Sequence, residues 1–231
     1  MTLLELVTFL RDNILDDNGG EGVDWTAYSD SDFDSIQLRW ENEELVTNIN
    51  EAINQVYRRT NYAKDILTFD VVAGTRGYTL PAYVTKVTNM KLANGKSLVE
   101  KSMSELWDLQ TYNTKTGTPE YFIPDEVSNS IALHPVPIAD ETVSYFCYRL
   151  PKTKLSWDNK DNSPELKEEY QIPMLNHAAF LCYMKDEANV LDPGRAATFS
   201  AMFDREFPFT SAYSNIRKGR TSNRPVKYGG I

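Results

Sequence analysis

The chain is poor in the residues that usually carry chemistry. It has two cysteines, Cys147 and Cys182, and two histidines, His134 and His177, in 231 residues. The cysteines lack C-x-x-C spacing and nothing suggests a disulfide scaffold; one disulfide stays open, and two buried thiols are the preferred reading. Neither histidine has a second histidine or a cysteine at ligand spacing, so both read as structural. No G-x-S-x-G elbow appears, and no G-x-x-x-x-G-K phosphate loop; "AGTRG" at 73–77 lacks the lysine and the helix that such a loop needs. Long apolar runs are missing too. The densest, "AAFLCYM" at 178–184, is far short of the roughly 20 residues that span a bilayer. No basic region opens the N-terminus as in a signal peptide. These absences point to a soluble, non-enzymatic protein made in the cytoplasm, with no cofactor, no metal and no membrane contact.

What is present is acid, unevenly placed. The net charge is −9, which argues against wholesale coating of nucleic acid. Residues 1–60 hold 13 acids and 4 bases, whereas 215–231 hold 5 bases and no acid. The segment 16–34 has seven acids, three glycines and no base, and reads as a mobile acidic loop. Within it Asp30, Asp32, Asp34 and Glu41 copy the acid spacing of a calcium loop. Ser35 stands where that loop turns on glycine, and no helix precedes it. An acidic lead into the next helix is the preferred reading. Paired carboxylates of a glycosidase are always available among 33 acids, so their abundance carries no weight.

Periodicity divides the chain. Thr2 and Glu5 form a capping box ahead of an apolar stripe, predicting a helix over 3–15. A second helix is expected over about 41–60, with Leu45, Ile49, Ala52, Ile53 and Val56 on one face. From 65 to 151 the period is two. Asn94-Gly95 predicts a type I′ hairpin turn, and Pro135 and Pro137 interrupt the strands of "SIALHPVPIADETVSYF". Helices return after Ser163-Pro164, with Pro173 expected to kink or restart the first, and a last one is expected over 193–206. The terminal helix pairs are too short to stand alone. The expected fold is therefore α+β: a helical bundle built from both chain ends (1–64 and 152–208), with a small antiparallel β subdomain inserted at 65–151 and an extended basic tail at 209–231. The aromatics of the β part suit cross-strand packing, with stacking on sugars as the sharper alternative.

Four blocks, in order, resemble the bacteriophage head-to-tail adaptor proteins of the portal-binding, podovirus type. "RWENEELVTNINEAINQVYRRTN" at 39–61 is similar to the family's first helix, with Trp40, Asn50, Glu51, Arg58 and Arg59 in matching places. "VVAGTRGYTLPAYVTKVTNMKL" at 71–92, "GTPEYFIPDEVSNSIALHPVPIADETVSYFCYRLP" at 117–151 and "EEYQIPMLNHAAFLCYMKDEA" at 168–188 follow. The acidic loop is longer than the resemblance leads one to expect, and Pro173 falls where the family's helix runs through.

The resemblance implies a structural virion protein at the head-tail junction. It implies rings, usually of twelve copies, beneath the portal, with the β insert towards the tail and DNA passing through the lumen without specific binding. The partners so implied are the chain itself, the portal protein and a tail or nozzle protein, with fibres a further possibility. Terminal extensions grip the portal in such a scheme. The docking arm expected here is Arg217, Lys218, Arg220, Arg224 and Lys227, with Ile216, Val226, Tyr228 and Ile231 as apolar anchors. A carbohydrate-binding or fibre-joining tail module is the alternative, and a cell-wall hydrolase the third reading.

Overall fold

The structure, a computed structural model, describes residues 1–17, 38–107, 114–124, 127–186 and 191–209. The chain divides into two compact units, Met1–Thr60 with Thr153–Ile231, and Asn61–Lys152.

The first unit begins with α1 (Leu3–Phe9), which continues as a wider π turn, Leu10–Leu15. The capping box forms: the Thr2 amide donates to Glu5 Oε2 at 2.8 Å and the Glu5 amide to Thr2 Oγ1 at 3.2 Å. Two more first-turn donors are satisfied from the other half of the chain. The amides of Leu3 and Leu4 donate to the carbonyls of Asn162 and Lys160, both at 2.9 Å. Asp16, in the left-handed region at φ 53°, ends the helix. Then come α2 (Asn42–Thr60), α4 (Glu168–Tyr183) and α5 (Pro193–Glu206), with α4 packed against both α2 and α5. Asp192 caps α5 and Pro193 fills its first turn. Two helix expectations need correcting. The segment at Ser163-Pro164 precedes α4, which starts at Glu168. Nor does Pro173 restart α4, which runs through it. Pro173 stands close enough to the helix start that the hydrogen bond it forgoes lies near the unsatisfied first turn.

The hub of this unit is Arg11, fully buried. Its guanidinium donates to Asp17 Oδ2 at 2.5 Å, to the Trp40 carbonyl at 2.7 Å and to Asn42 Oδ1 at 2.9 Å. Asp17 also accepts the Arg39 amide at 2.9 Å. Trp40, buried, donates from its indole to the Cys182 carbonyl at 3.2 Å and meets Tyr183 edge-on. The N-terminal helix, the start of α2 and the end of α4 thus share one polar junction inside an apolar core.

The second unit overturns the expected fold class. It is not a small antiparallel insert in a helical bundle; the chain is mixed α/β, with a large seven-stranded mixed sheet. Its strands are β1 (Ala63–Val71), β2 (Gly77–Thr79), β3 (Val84–Leu92), β4 (Ser97–Glu100), β6 (Tyr121–Pro124), β7 (Ser130–His134) and β9 (Glu141–Arg149). Their order is β1-β9-β3-β4-β6-β7-β2, and a separate parallel pair joins β5 (Thr116–Gly117) to β8 (Val136–Pro137). The physical reason lies between β4 and β6. There the chain passes through α3 (Met103–Trp107), and that crossover brings β6 back parallel to β4, which a hairpin cannot do. The strands taken singly look antiparallel; only the long connection makes the sheet mixed.

Alternation builds the core of this unit. Val71, Val143, Tyr145, Cys147, Val87, Met90 and Leu92 bury one face, with Leu67, Phe69 and Tyr78 packed against them. The Asn94-Gly95 turn departs from type I′. Only Gly95 has positive φ, at 85°, and the Leu92 amide donates to the Lys96 carbonyl at 2.9 Å, so the loop is longer by one residue. Pro135 separates β7 from β8, and Pro137 sits in the two-residue β8, where a missing N–H costs little. Asp65 on β1 is gripped by Lys152 Nζ at 2.8 Å and Arg149 Nε at 3.2 Å.

Two predictions concern stability. Asp17→Ala removes the buried ion-pair partner of the Arg11 guanidinium, and should lower unfolding free energy by about 3–5 kcal/mol. Urea denaturation reads this, and a loss below about 1 kcal/mol contradicts the hub. The second concerns acid. Burial, aided by Arg59, lowers the His177 pKa below 6.5, so its neutral form is favoured on folding. That contribution is complete above pH 6.5 and shrinks as pH falls through the depressed folded value. Between pH 7.5 and 5, to be covered by urea titrations, the wild-type midpoint should therefore fall, and His177→Phe should flatten the fall. Equal slopes would contradict it.

Candidate functional site

The helix that carries the resemblance was the first candidate. Its residues turn inward. Trp40 closes the Arg11 junction described above. Asn50 grips the backbone of the returning chain: its Nδ2 donates to the Leu155 carbonyl and its Oδ1 accepts the Leu155 amide, both at 2.9 Å. Tyr57 donates its hydroxyl to the Glu165 carbonyl. Arg59 pairs with Asp204, donates to the Phe207 carbonyl at 3.2 Å and lies over the rings of Phe203 and Phe209. Glu51 and Arg58 differ. They form a half-exposed pair at 3.2 Å along the same helix, with Gln55 donating to Glu51 at 2.7 Å. So the structure brings Trp40, Asn50 and Arg59 into contacts between the two ends of the chain, and leaves Glu51 and Arg58 on the surface.

The histidines and cysteines are packed into the two units. His177 packs between Phe180 and Phe203, with ring centroids at 5.5 and 4.8 Å. His134 is buried and stacked on Tyr121. Burial pushes the Cys182 thiol up to about 12, and raises the Cys147 thiol as well. Such thiols carry almost no thiolate near neutrality and are poor nucleophiles. Among the described residues no three of His, Cys, Asp and Glu gather to hold a metal ion, and no helix is long and apolar enough to cross a membrane. Of the calcium-like pattern only Glu41 is described, exposed at the entry to α2; Asp30, Asp32 and Asp34 lie outside the described residues. The docking-arm residues Ile216, Arg217, Lys218, Arg220, Arg224, Val226, Lys227, Tyr228 and Ile231 lie outside them too.

Sequence reading missed one surface. The loop after β1 is fixed by the Tyr78 hydroxyl, which accepts the Val72 amide at 3.1 Å and donates to the Thr75 carbonyl at 2.8 Å. The Ala73 amide donates to Asp140 Oδ1 at 2.7 Å, and that of Gly74, at φ 78°, to the Pro137 carbonyl at 2.8 Å. These bonds hold two loops together and leave Val72 and Ile138 exposed, at 52% and 64%. Bare aliphatic side chains on loops already fixed by hydrogen bonds make this a candidate contact surface. The signal was Tyr78 itself, placed to bond its own loop.

Among the described residues the candidate side chains brace the fold, and none of them joins a cluster able to hold a metal ion. A search of curated proteins finds no match. The family model of the SU10 adaptor protein matches residues 1–226, nearly the whole chain. The chain belongs to that family, and is a structural adaptor of the phage head-to-tail joint.

Proposed function

We propose that this protein forms a ring, of twelve copies, that joins the portal to the tail and continues the DNA channel. The observation that carries the reading is the adaptor family's match over 1–226. Several features support it. The described side chains make packing contacts rather than a reactive site. The acid excess of 1–60 would keep DNA from adhering if it lines the lumen, since like charge repels phosphate. The tip at Val72 and Ile138 suits a contact with the tail protein, because its backbone is already hydrogen-bonded and needs no ordering on docking.

Two results test this. Mixed with the portal protein of its phage, the chain should add a closed ring beneath the portal, visible by electron microscopy; a portal that stays bare contradicts the proposal. Val72→Ser with Ile138→Ser should shift stability by no more than about 0.5 kcal/mol, as exposed positions do, yet weaken attachment of the tail protein to the ring. Undiminished attachment removes the tip from the joint.

A further inference from the structure

Among the described residues, strand β1 ends the seven-stranded sheet and pairs with β9 alone, in unbroken register from Ala63↔Arg149 to Val71↔Glu141. In an antiparallel ladder, alternate residues turn both backbone groups to one neighbour. The Ile66 amide does not join the ladder; it donates to the Asp65 carboxylate at 2.9 Å. Lys64, Ile66, Thr68 and Asp70 are therefore the residues whose N–H and C=O face away from β9. Their side chains are exposed, Ile66 to 68%. The edge is nine residues long, without proline or bulge. Proteins seldom leave such an edge bare, because it is a template for another strand.

We propose that residues 224–230 of one copy add to this edge in a second copy, as an antiparallel strand. The inference rests on the ring reading above. It commits to the tail for three reasons. The described chain stops at Phe209, and 22 residues follow. They include "RPVKYGG", in which Arg224, Val226, Tyr228 and Gly230 alternate and would share one face. Charge and shape then choose the register. Asp70 opposite Arg224 sets Thr68 opposite Val226, Ile66 opposite Tyr228 and Lys64 opposite Gly230. Opposite charges meet at one end, an aliphatic–aromatic pair in the middle, and Lys64 faces no second base. Ile66 already has Phe146 as its neighbour on β9, so Tyr228 would extend an apolar strip. Pro225 falls opposite Phe69, where the missing N–H would point away from β1, and proline is tolerated on such an outer strand. A tail of one copy on the edge of the next is a heterologous contact, the kind that closes into a ring.

Two full-length variants with one added cysteine each, Ile66→Cys and Tyr228→Cys, test this when mixed and assembled on the portal. Cys147 and Cys182 are buried with raised pKa, so a short bis-maleimide should pass them by. Mixing makes any product between the two variants intermolecular. The expected result is a cross-linked pair. Asp70→Arg in the first variant should lower its yield by about fivefold, and Arg224→Asp in the second should restore it. Complete rings without the cross-link, or Tyr228→Cys captured on the portal instead, overturn the strand addition and leave the ring reading standing. Wild-type chains that form no ring overturn the ring reading itself.

Discussion

One buried guanidinium organises the helical unit. Arg11 gives its hydrogens to a carboxylate on its own loop, to the carbonyl of Trp40 and to the side chain of Asn42. A charge taken that far from water is tolerable only when it is paired and hydrogen-bonded, so its partners are held in place by the penalty for leaving. Trp40, fixed by that contact, then reaches the end of α4 through the Cys182 carbonyl. Asn50 at the middle of α2 and Arg59 near its end repeat the arrangement with Leu155 and Asp204. The helix α2 is thus pinned at its start, middle and end to segments more than 100 residues away in the chain.

These contacts give the family resemblance a physical content. A tryptophan, an asparagine and an arginine at fixed spacing along one helix look like a recognition motif. Here they brace the fold, and the ring we propose would need subunits that keep one shape under load. The surfaces we propose for partners are elsewhere: the exposed aliphatics Val72 and Ile138, and the outer edge of β1.

How much of this was legible in the sequence depends on range. Local signals read well. The capping box at Thr2 and Glu5 forms, α2 and α5 lie within a residue of their expected spans, and the apolar alternation of β1 is that of a half-buried strand. What failed was long-range. No local pattern tells that β6 returns parallel to β4, so a seven-stranded mixed sheet was read as a small antiparallel insert. Pro173 read as a break because a breaker's effect depends on its distance from the helix start, and that start was placed several residues too early. Arg11 went unnoticed because a single arginine in a helix ordinarily faces solvent; only the fold, by bringing Asp17, Trp40 and Asn42 round it, makes it a core residue.

The bracing role of α2 separates two quantities that a recognition role would join. Asn50→Ala removes both hydrogen bonds to Leu155 and strands that backbone in a part-buried place, at a cost of about 1–3 kcal/mol. The most direct measurement is urea unfolding of full-length Asn50→Ala alongside its incorporation into rings on the portal, at a temperature where it remains folded. Bracing predicts a lower unfolding midpoint and normal incorporation by the folded molecules. An unchanged midpoint with incorporation lost would show that this residue meets a partner, and would contradict the account.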